Sequence, residues 1–271
     1  MGLAIYQVDA FTDRPFAGNP AGVCPLPSFP SPEWMLAVAR EMSLAETAFL
    51  VRRDGAGAEY DLRWFTPAVE IELCGHATLA SAHLLWELGA ASGEEPIGFH
   101  TLSGRLGAAR RGEWIELDFP AEPPSALASP IPDLAAMLGA EPVWVGANRF
   151  DLVAELADEP AVRGLAPDLR RIKDLPYRGV QVTARAATPG YDFVSRFFAP
   201  AAGVDEDPVT GSAHCCLGPY WSAKLGRNPL VAYQASARGG VVRVETAGER
   251  VKLGGQAVTV IRGELTGGAR P

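Results

Sequence analysis

The sequence predicts an α/β protein of the α+β type, built from two similar halves in which a curved, mostly antiparallel sheet wraps around a central buried helix. Three observations predict this fold class. One sequence pattern occurs twice, each copy contains a helical segment that is apolar nearly all round, and a proline-rich joint separates the copies. A helix of that kind has to be covered on every side, and the simplest cover is its own flanking strands.

The repeat is a long-period match that is found by comparing the chain with itself. The matching segments are Arg63–Pro67 and Cys74–Ala77 in the first copy, and Arg196–Pro200 and Thr210–Ala213 in the second. A Gly-Glu turn follows the helical glycine at the same distance in each copy, since 112 − 75 = 37 and 248 − 211 = 37. We therefore predict an N-terminal half, 1–119, and a C-terminal half, 131–271, joined by the proline-rich segment 120–130.

Capping residues and periodicity predict the elements within each half. Strands are expected over Ile5–Phe11, Thr47–Arg52 and Tyr60–Phe65, and after each Gly-Glu turn. A helix is expected over Pro32–Met42, because Ser31 is a favourable N-cap and proline is tolerated in a first helical turn. The central helices are expected over Gly75–Leu88 and Gly211–Leu225, and Pro219 should kink the second.

Composition excludes several classes of protein. The 271 residues include 24 Lys and Arg against 32 Asp and Glu, which gives a net charge of −8, and 48% are hydrophobic. This composition can fill a core, and its acidic balance argues against a nucleic-acid partner. The four cysteines form no CxxC pair, no signal peptide is evident, and the apolar stretch Leu79–Leu88 is too short to cross a bilayer. We therefore expect a cytoplasmic protein with no membrane partner.

The two central helices begin with small residues, at Gly75 and Gly211. A helix start offers unpaired backbone N–H groups and the positive end of the helix dipole, which together suit a carboxylate. Two such starts, facing each other across a cleft between the halves, would bind a small anionic substrate. The alternative is that these glycines only allow each helix to pack closely against a strand.

Three ionisable residues near the helix starts are candidates for chemistry. Glu46 enters an apolar strand, where it is either an exposed residue or a partly buried acid that can transfer protons. Asp207 precedes the second helix and is either catalytic or a partner of the helix dipole. His76 is the second residue of the first helix and lies either beside the ligand or in packing contacts.

No metal or cofactor site is expected. His83 follows His76 by seven residues on nearly the same helix face, but no third ligand is evident. The sequence lacks GxGxxG, GxxxxGK[ST], GxSxG and HExxH motifs, so it gives no support to a nucleotide cofactor, a serine hydrolase or a zinc protease. Cys74 and Thr210 are equivalent in the repeat, where two thiols would form the acid/base pair of a cofactor-independent racemase. A threonine hydroxyl is too weak a base for that role.

Several motifs resemble those of the phenazine-biosynthesis PhzF-like isomerase family, and the similarity extends over nearly the whole chain. These motifs are Val8–Thr12, Phe16–Ala21, Met42–Phe49, Phe65–Pro67, Glu70–Ala80 and Asp207–His214. The resemblance implies the diaminopimelate-epimerase-like fold, which has two similar halves with the active site between them. It also implies a homodimer that needs no metal and no organic cofactor.

The resemblance also implies roles for individual residues. Glu46 matches the family's catalytic glutamate, which moves a proton between carbons of a dihydro-hydroxyanthranilate ring. The other matching site residues are His76, Asp207 and Ser212, with Gly75 and Gly211 at the helix-start anion sites. Cys74 stands where epimerase and racemase relatives carry a catalytic thiol. Cys74 and Thr210 are therefore also expected to line the substrate site.

Three hypotheses about function follow. The leading one is a cofactor-independent isomerase that shifts a proton on a small cyclic or unsaturated carboxylic acid, with Glu46 as general acid and base. The second is a racemase, epimerase or dehydratase of a small amino or imino acid, with Cys74 as the base and Thr210 as its hydrogen-bond partner. The third is a non-catalytic protein that uses the same cleft to sense a carboxylate metabolite.

Overall fold

The structure is a computed structural model that describes residues 2–55, 57–93 and 95–266. Its contacts divide the chain into a first unit, the described residues within Met1–Asp118 and Gly254–Pro271, and a second unit, Phe119–Leu253. The sequence prediction placed the C-terminal segment in the second half. The structure groups that segment with the first unit because the strand Ala257–Leu265 pairs antiparallel with Leu3–Ala10.

In chain order, each unit consists of runs of strands that are interrupted by helices. The first unit contains β1 Leu3–Ala10, β2 Asn19–Leu26, α1 Pro32–Met42, β3 Glu46–Arg52, β4 Ala58–Phe65, β5 Glu70–Ile71, α2 Gly75–Glu87, β6 Ile97–Thr101, β7 Gly104–Arg111 and the start of β8 Trp114–Pro120. The second unit contains β9 Ser125–Ala126, α3 Leu134–Leu138, β10 Trp144–Ala147, β11 Asp151–Glu155, α4 Glu159–Arg163, α5 Leu169–Lys173, β12 Gly179–Arg185, β13 Phe193–Ala199, a 3-10 turn Pro200–Ala202, β14 Val204–Asp207, α6 Gly211–Leu225, β15 Leu230–Gln234, β16 Gly240–Ala247 and most of β17 Arg250–Gly255. The final strand, β18 Ala257–Leu265, belongs to the first unit.

Both units follow one sequence of strand pairings. In the first unit, β1, β2, β3, β4, β6 and β7 pair in turn as antiparallel, parallel, antiparallel, parallel and antiparallel neighbours. In the second unit, β10, β11, β12, β13, β15 and β16 repeat the same orientations. The long helix enters at the same place, since α2 lies between β5 and β6 and α6 between β14 and β15. This agreement confirms the prediction of two similar, mostly antiparallel halves.

The central helices are buried, as their apolar surfaces predict. Helix α2 contacts β1, β2, β3, β7 and β18, and most of its residues are inaccessible to solvent. Helix α6 packs against β16 so closely that a Cβ atom at Gly218 would lie 2.3 Å from Val244. A side chain at that position would therefore force the helix away from the sheet.

Helix α6 includes Pro219, where the sequence predicts a kink, and remains one helix from Gly211 to Leu225. Proline cannot donate the hydrogen bond that the carbonyl of Cys215 would accept within the helix. The backbone N–H of Glu122 donates to that carbonyl instead, at 3.0 Å. The Cys215 carbonyl therefore keeps a hydrogen bond, although its donor lies outside the helix.

Helix α1 begins and ends where the sequence predicts. The Ser31 hydroxyl accepts from the N–H of Trp34, and Ser43 ends the helix in the left-handed conformation. Helix α1 packs on β3, the strand that carries Glu46 at its first position. Within the described ranges, no helix is long and apolar enough to span a bilayer.

Candidate functional site

The first unit brings Glu46 and His76 into contact. Glu46 is the first residue of β3, paired with Ala21 of β2, and His76 is the second residue of α2. Glu46 Oε2 lies 3.1 Å from His76 Nε2, and the side chains are 16% and 7% exposed. This distance suits an ion pair, but neither atom completes a hydrogen bond with a described residue. Two buried polar atoms therefore keep hydrogen-bonding capacity for a ligand.

Cys74 lies on the other side of the His76 ring. It is the N-cap of α2, and its Sγ atom is 3.5 Å from His76 Nδ1. Burial raises the pKa of the Cys74 thiol above its ordinary value. Burial also opposes a charge on His76, but Cys74 and Glu46 together hold the pKa of its imidazole well above its ordinary value. This shift favours the protonated form of the ring beside Glu46.

Glu46, Cys74 and His76 are also the three residues of the described chain whose types and spacing could hold a metal ion. One donor atom from each lies within 4.8 Å of the others. The structure thus groups His76 with Glu46 and Cys74, rather than with His83 as the seven-residue spacing suggested. His76 already contacts both of the other side chains, and a chain of acid, imidazole and thiol is equally suited to proton transfer.

The start of α6 in the second unit is built around Thr210 and Asp207. Thr210 is the N-cap of α6, and its hydroxyl donates to Asp207 Oδ2 at 2.5 Å. The fully buried Gln234 accepts from the Thr210 N–H at 2.8 Å and donates to the Asp207 carbonyl at 2.7 Å. These bonds fix the approach of the chain to the first turn of α6.

Ser212 is the second residue of α6 and contacts an arginine. Arg178 Nη2 donates to Ser212 Oγ at 2.9 Å, and the same guanidinium makes a two-point ion pair with the buried Asp151. Ser212 is only partly buried. The first turn of α6 therefore carries a hydroxyl that is held by a cation and remains accessible.

These features can be compared with known proteins. The sequence model of the phenazine biosynthesis-like protein family matches residues 8–263. The chain belongs to this family. It is 54% identical to an uncharacterised isomerase from Halalkalibacterium halodurans, over 98% of this chain and 99% of the relative.

Solved structures agree with the family and with its fold. A phenazine biosynthesis protein of the PhzF family from Enterococcus faecalis superposes with a TM-score of 0.92 at 41% identity, and the match covers 98% of this chain and 100% of that one. A predicted epimerase from Pseudomonas aeruginosa reaches a TM-score of 0.74 at 24% identity, with 97% and 99% covered. The latter shows only that the fold is shared with epimerase-like proteins.

Within this phenazine biosynthesis-like chain, the sequence-predicted site residues form two contact groups. Glu46, Cys74 and His76 form one in the first unit. Asp207 and Thr210 form the other in the second unit, while Ser212 contacts Arg178 instead. Gly75 and Gly211 begin α2 and α6, as predicted. The catalytic and binding roles of these residues stay predictions.

Two residues that contact the start of α6 or the segment before it were missed by sequence reasoning. Gln234 could have been suspected, because it is a polar residue at a buried position of the alternating strand β15. Arg178 gave no local signal, since its partners lie 27 and 34 residues away along the chain. His100, by contrast, bonds to Glu59 in a solvent-exposed cluster, in line with a structural role.

Proposed function

We propose that this protein is a cofactor-independent isomerase that shifts a proton on a small cyclic or unsaturated carboxylic acid, with Glu46 as general acid and base. The observation that carries the proposal is the buried contact between Glu46 and His76, in which two polar atoms lack hydrogen bonds to other described residues. The relative from Halalkalibacterium halodurans is named an isomerase, which supports this reaction class.

The proposed step moves one proton and leaves the oxidation state unchanged. The Glu46 carboxylate takes a proton from one carbon of the substrate, and the electron pair of the broken C–H bond passes into the adjacent unsaturated system. Glu46 then returns the proton to a second carbon of that system, where a new C–H bond forms. The imidazolium of His76 offsets the negative charge that develops while the proton is on Glu46.

The proposed binding mode places the substrate carboxylate at the helix starts. Unpaired N–H groups at Gly75 and Gly211 favour an anion, and Ser212 adds a hydroxyl donor. We keep the sequence predictions that the helix starts bind the substrate and that Asp207 is a second acid. Homodimer formation is kept as a prediction that sedimentation equilibrium would test.

The proposal is tested by exchange of substrate hydrogen with solvent. The substrate is first identified by mass spectrometry of metabolites that co-purify with the protein. Deuterium incorporation from heavy water is then compared between wild type, Glu46→Gln and Cys74→Ala. We expect Glu46→Gln to lower the rate roughly 10²–10⁴-fold, with a much smaller effect on affinity. Equal rates in wild type and Glu46→Gln would remove Glu46 from the mechanism.

A second candidate function uses Cys74 as the base of a racemase, epimerase or dehydratase. The contact between its Sγ atom and His76 Nδ1, at 3.5 Å, favours this candidate because histidine could accept the thiol proton. The raised pKa of the Cys74 thiol weighs against it. A loss of exchange in Cys74→Ala but not in Glu46→Gln would make this the better description. Tight metabolite binding with no exchange in wild type would favour the sensor hypothesis.

A further inference from the structure

Arg178 occupies a position in the second unit that corresponds closely to that of Glu46 in the first. Thr47 pairs with Phe65, and Val180 pairs with Phe198, where Phe65 and Phe198 are equivalent in the repeat. Glu46 therefore corresponds to Gly179, and Arg178 lies one residue before it. Each of the two charged side chains contacts the second residue of the neighbouring central helix.

The Arg178 guanidinium is held in a fixed orientation by its surroundings. Its Nε and Nη2 atoms donate to the two carboxylate oxygens of Asp151, at 2.9 and 2.6 Å. Asp151 is fully buried, and Gln181 Nε2 donates to the same carboxylate at 2.9 Å. The guanidinium also lies 5.4 and 5.5 Å from the ring centres of Phe150 and Phe197. A planar fork fixed in this way can direct a hydrogen bond.

The direction of the bond between Arg178 and Ser212 follows from the chemistry of the two groups. A guanidinium only donates, so the Ser212 oxygen must accept at 2.9 Å. A serine hydroxyl carries one hydrogen and two lone pairs. Because one lone pair is taken by Arg178, the hydrogen of Ser212 points elsewhere. It can be donated to an anion at the first turn of α6, next to the unpaired backbone N–H groups.

We propose that Arg178 is a positioning residue, which orients the Ser212 hydroxyl as a hydrogen-bond donor to the carboxylate group of the substrate. This assignment rests on the function proposed above, and it adds a residue that acts through Ser212 rather than on the reacting carbon. Because the Nε and Nη2 atoms already donate to Asp151 and Ser212, these two atoms can act on the substrate only through Ser212. The charge of the guanidinium also makes the Ser212 hydroxyl a stronger donor than an isolated serine would be.

A double-mutant cycle tests whether Arg178 acts through Ser212. Benzoate serves as the probe, because it is a small cyclic carboxylate, and its binding is followed by NMR through the amide signals of the first turn of α6. We expect Arg178→Gln and Ser212→Ala each to weaken benzoate binding about tenfold, as for a hydrogen bond to a charged group. The double variant should bind no more weakly than Ser212→Ala alone, because the two changes remove one interaction.

Arg163→Gln is the matched control. Arg163 lies in the same unit, is likewise 41% exposed, pairs with Glu159 and lies over the ring of Tyr233. Its loss should lower stability while leaving benzoate affinity unchanged. If Arg178→Gln fails to fold, Arg178→Lys keeps the test open, because lysine can donate to Ser212 but cannot form the two-point pair with Asp151. Arg178→Lys should then recover part of the affinity.

Three results would overturn the assignment. Additive losses in the double variant would show that Arg178 binds the carboxylate directly. Unchanged affinity in Arg178→Gln would assign the arginine a purely structural role. No benzoate-dependent shift at α6 in wild type, even at saturation, would remove the anion site itself. None of these results depends on proton transfer by Glu46, so the proposed function can fail independently in the exchange experiment.

Discussion

The starts of α2 and α6 have the same backbone but opposite chemistry. Both N-caps are extended, with φ and ψ of −144° and 111° at Cys74 and of −113° and 106° at Thr210. Both N-cap carbonyls accept from a side chain four residues later, Thr78 at 2.5 Å and His214 at 2.8 Å. The residue two positions after each N-cap, however, has a different partner. His76 contacts the acid Glu46 in the first unit, and Ser212 contacts Arg178 in the second.

The two copies of the repeat share the backbone conformation of the helix start and differ in the side chains that contact it. The backbone of the helix start is set by strand pairings that both units share, so it persists although few residues are identical. The side chains that point at the helix start are not needed for those pairings. The repeat can therefore present an acid beside an imidazole in one unit and an arginine beside a hydroxyl in the other. The isomerase proposed above would use both kinds of group.

The largest effect expected from the difference between the two helix starts comes from removing the imidazole at the start of α2. We predict that His76→Gln lowers the rate of substrate deuteration roughly 10²–10³-fold, because the charge that develops during proton transfer loses its partner. In wild type, the rate should fall as the pH rises through the raised pKa of His76, since the imidazolium is then lost. His83→Gln, two turns along the same helix, is the control and should keep wild-type exchange. Equal rates in both variants would contradict a role for His76.

Sequence alone predicts the local features of the two units, such as helix caps and strands, but not the tertiary contacts between distant segments of each unit. Ser31 and Pro32–Met42 could be assigned because capping and helical periodicity are local signals. The strand Ala257–Leu265 could not be assigned to its unit, because alternation predicts a strand without specifying its partner. Arg178 and Gln234 could not be assigned to a site for the same reason. Their contacts are created by segments that are distant in the sequence.

A second difference concerns an arginine that is equivalent in the two units. Arg63 makes a two-point pair with Glu70, and Arg196 makes the same pair with Glu206. Arg196 is the more buried, 13% against 24% exposed. It also donates to the Leu165 carbonyl at 2.6 Å.

Replacing each arginine by glutamine should therefore have unequal effects. We predict that Arg196→Gln lowers the free energy of unfolding by roughly 3 kcal/mol, because it leaves an acid and a backbone carbonyl unsatisfied. Arg63→Gln should lower it by about 1.5 kcal/mol. Urea unfolding of the two variants measures the difference. Equal losses would mean that the additional carbonyl contact of Arg196 does not contribute.

The two units also differ in an acid whose ionisation affects stability, Glu159 in the second unit and Glu59 in the first. Glu159 in the second unit is buried and accepts from the N–H groups of Ala187 and Thr188, from the Thr188 hydroxyl and from Arg163. Burial alone would raise the pKa of Glu159, but these hydrogen bonds lower it to about 2. Glu159 therefore stabilises the fold fully above its unfolded pKa of 4.5, and this contribution is lost as the pH falls from 4.5 towards 2.

We predict that Glu159→Gln lowers the free energy of unfolding by about 2 kcal/mol at neutral pH. The variant should also lose part of the acid sensitivity of wild type between pH 5 and 2. Urea unfolding over this pH range measures both effects. A variant whose stability declines with acid as steeply as that of wild type would contradict the role assigned to Glu159.

The smallest expected effect concerns Glu59, the acid of a comparable cluster in the first unit. The hydrogen bond from Arg105 lowers the pKa of Glu59, and His100 contributes in the same direction. The side chains of Glu59, Arg105 and His100 are 31%, 54% and 36% exposed, so water and salt weaken their attraction.

We predict that Glu59→Gln changes the free energy of unfolding by about 0.5 kcal/mol at low salt, and by less in 1 M NaCl. Glu159→Gln should keep more of its effect in the same salt, because Glu159 is itself buried and three of its four hydrogen bonds come from neutral donors. Urea unfolding at both salt concentrations measures the contrast. An effect of Glu59→Gln that is as large and as salt-independent as that of Glu159→Gln would show that exposure does not distinguish the two clusters.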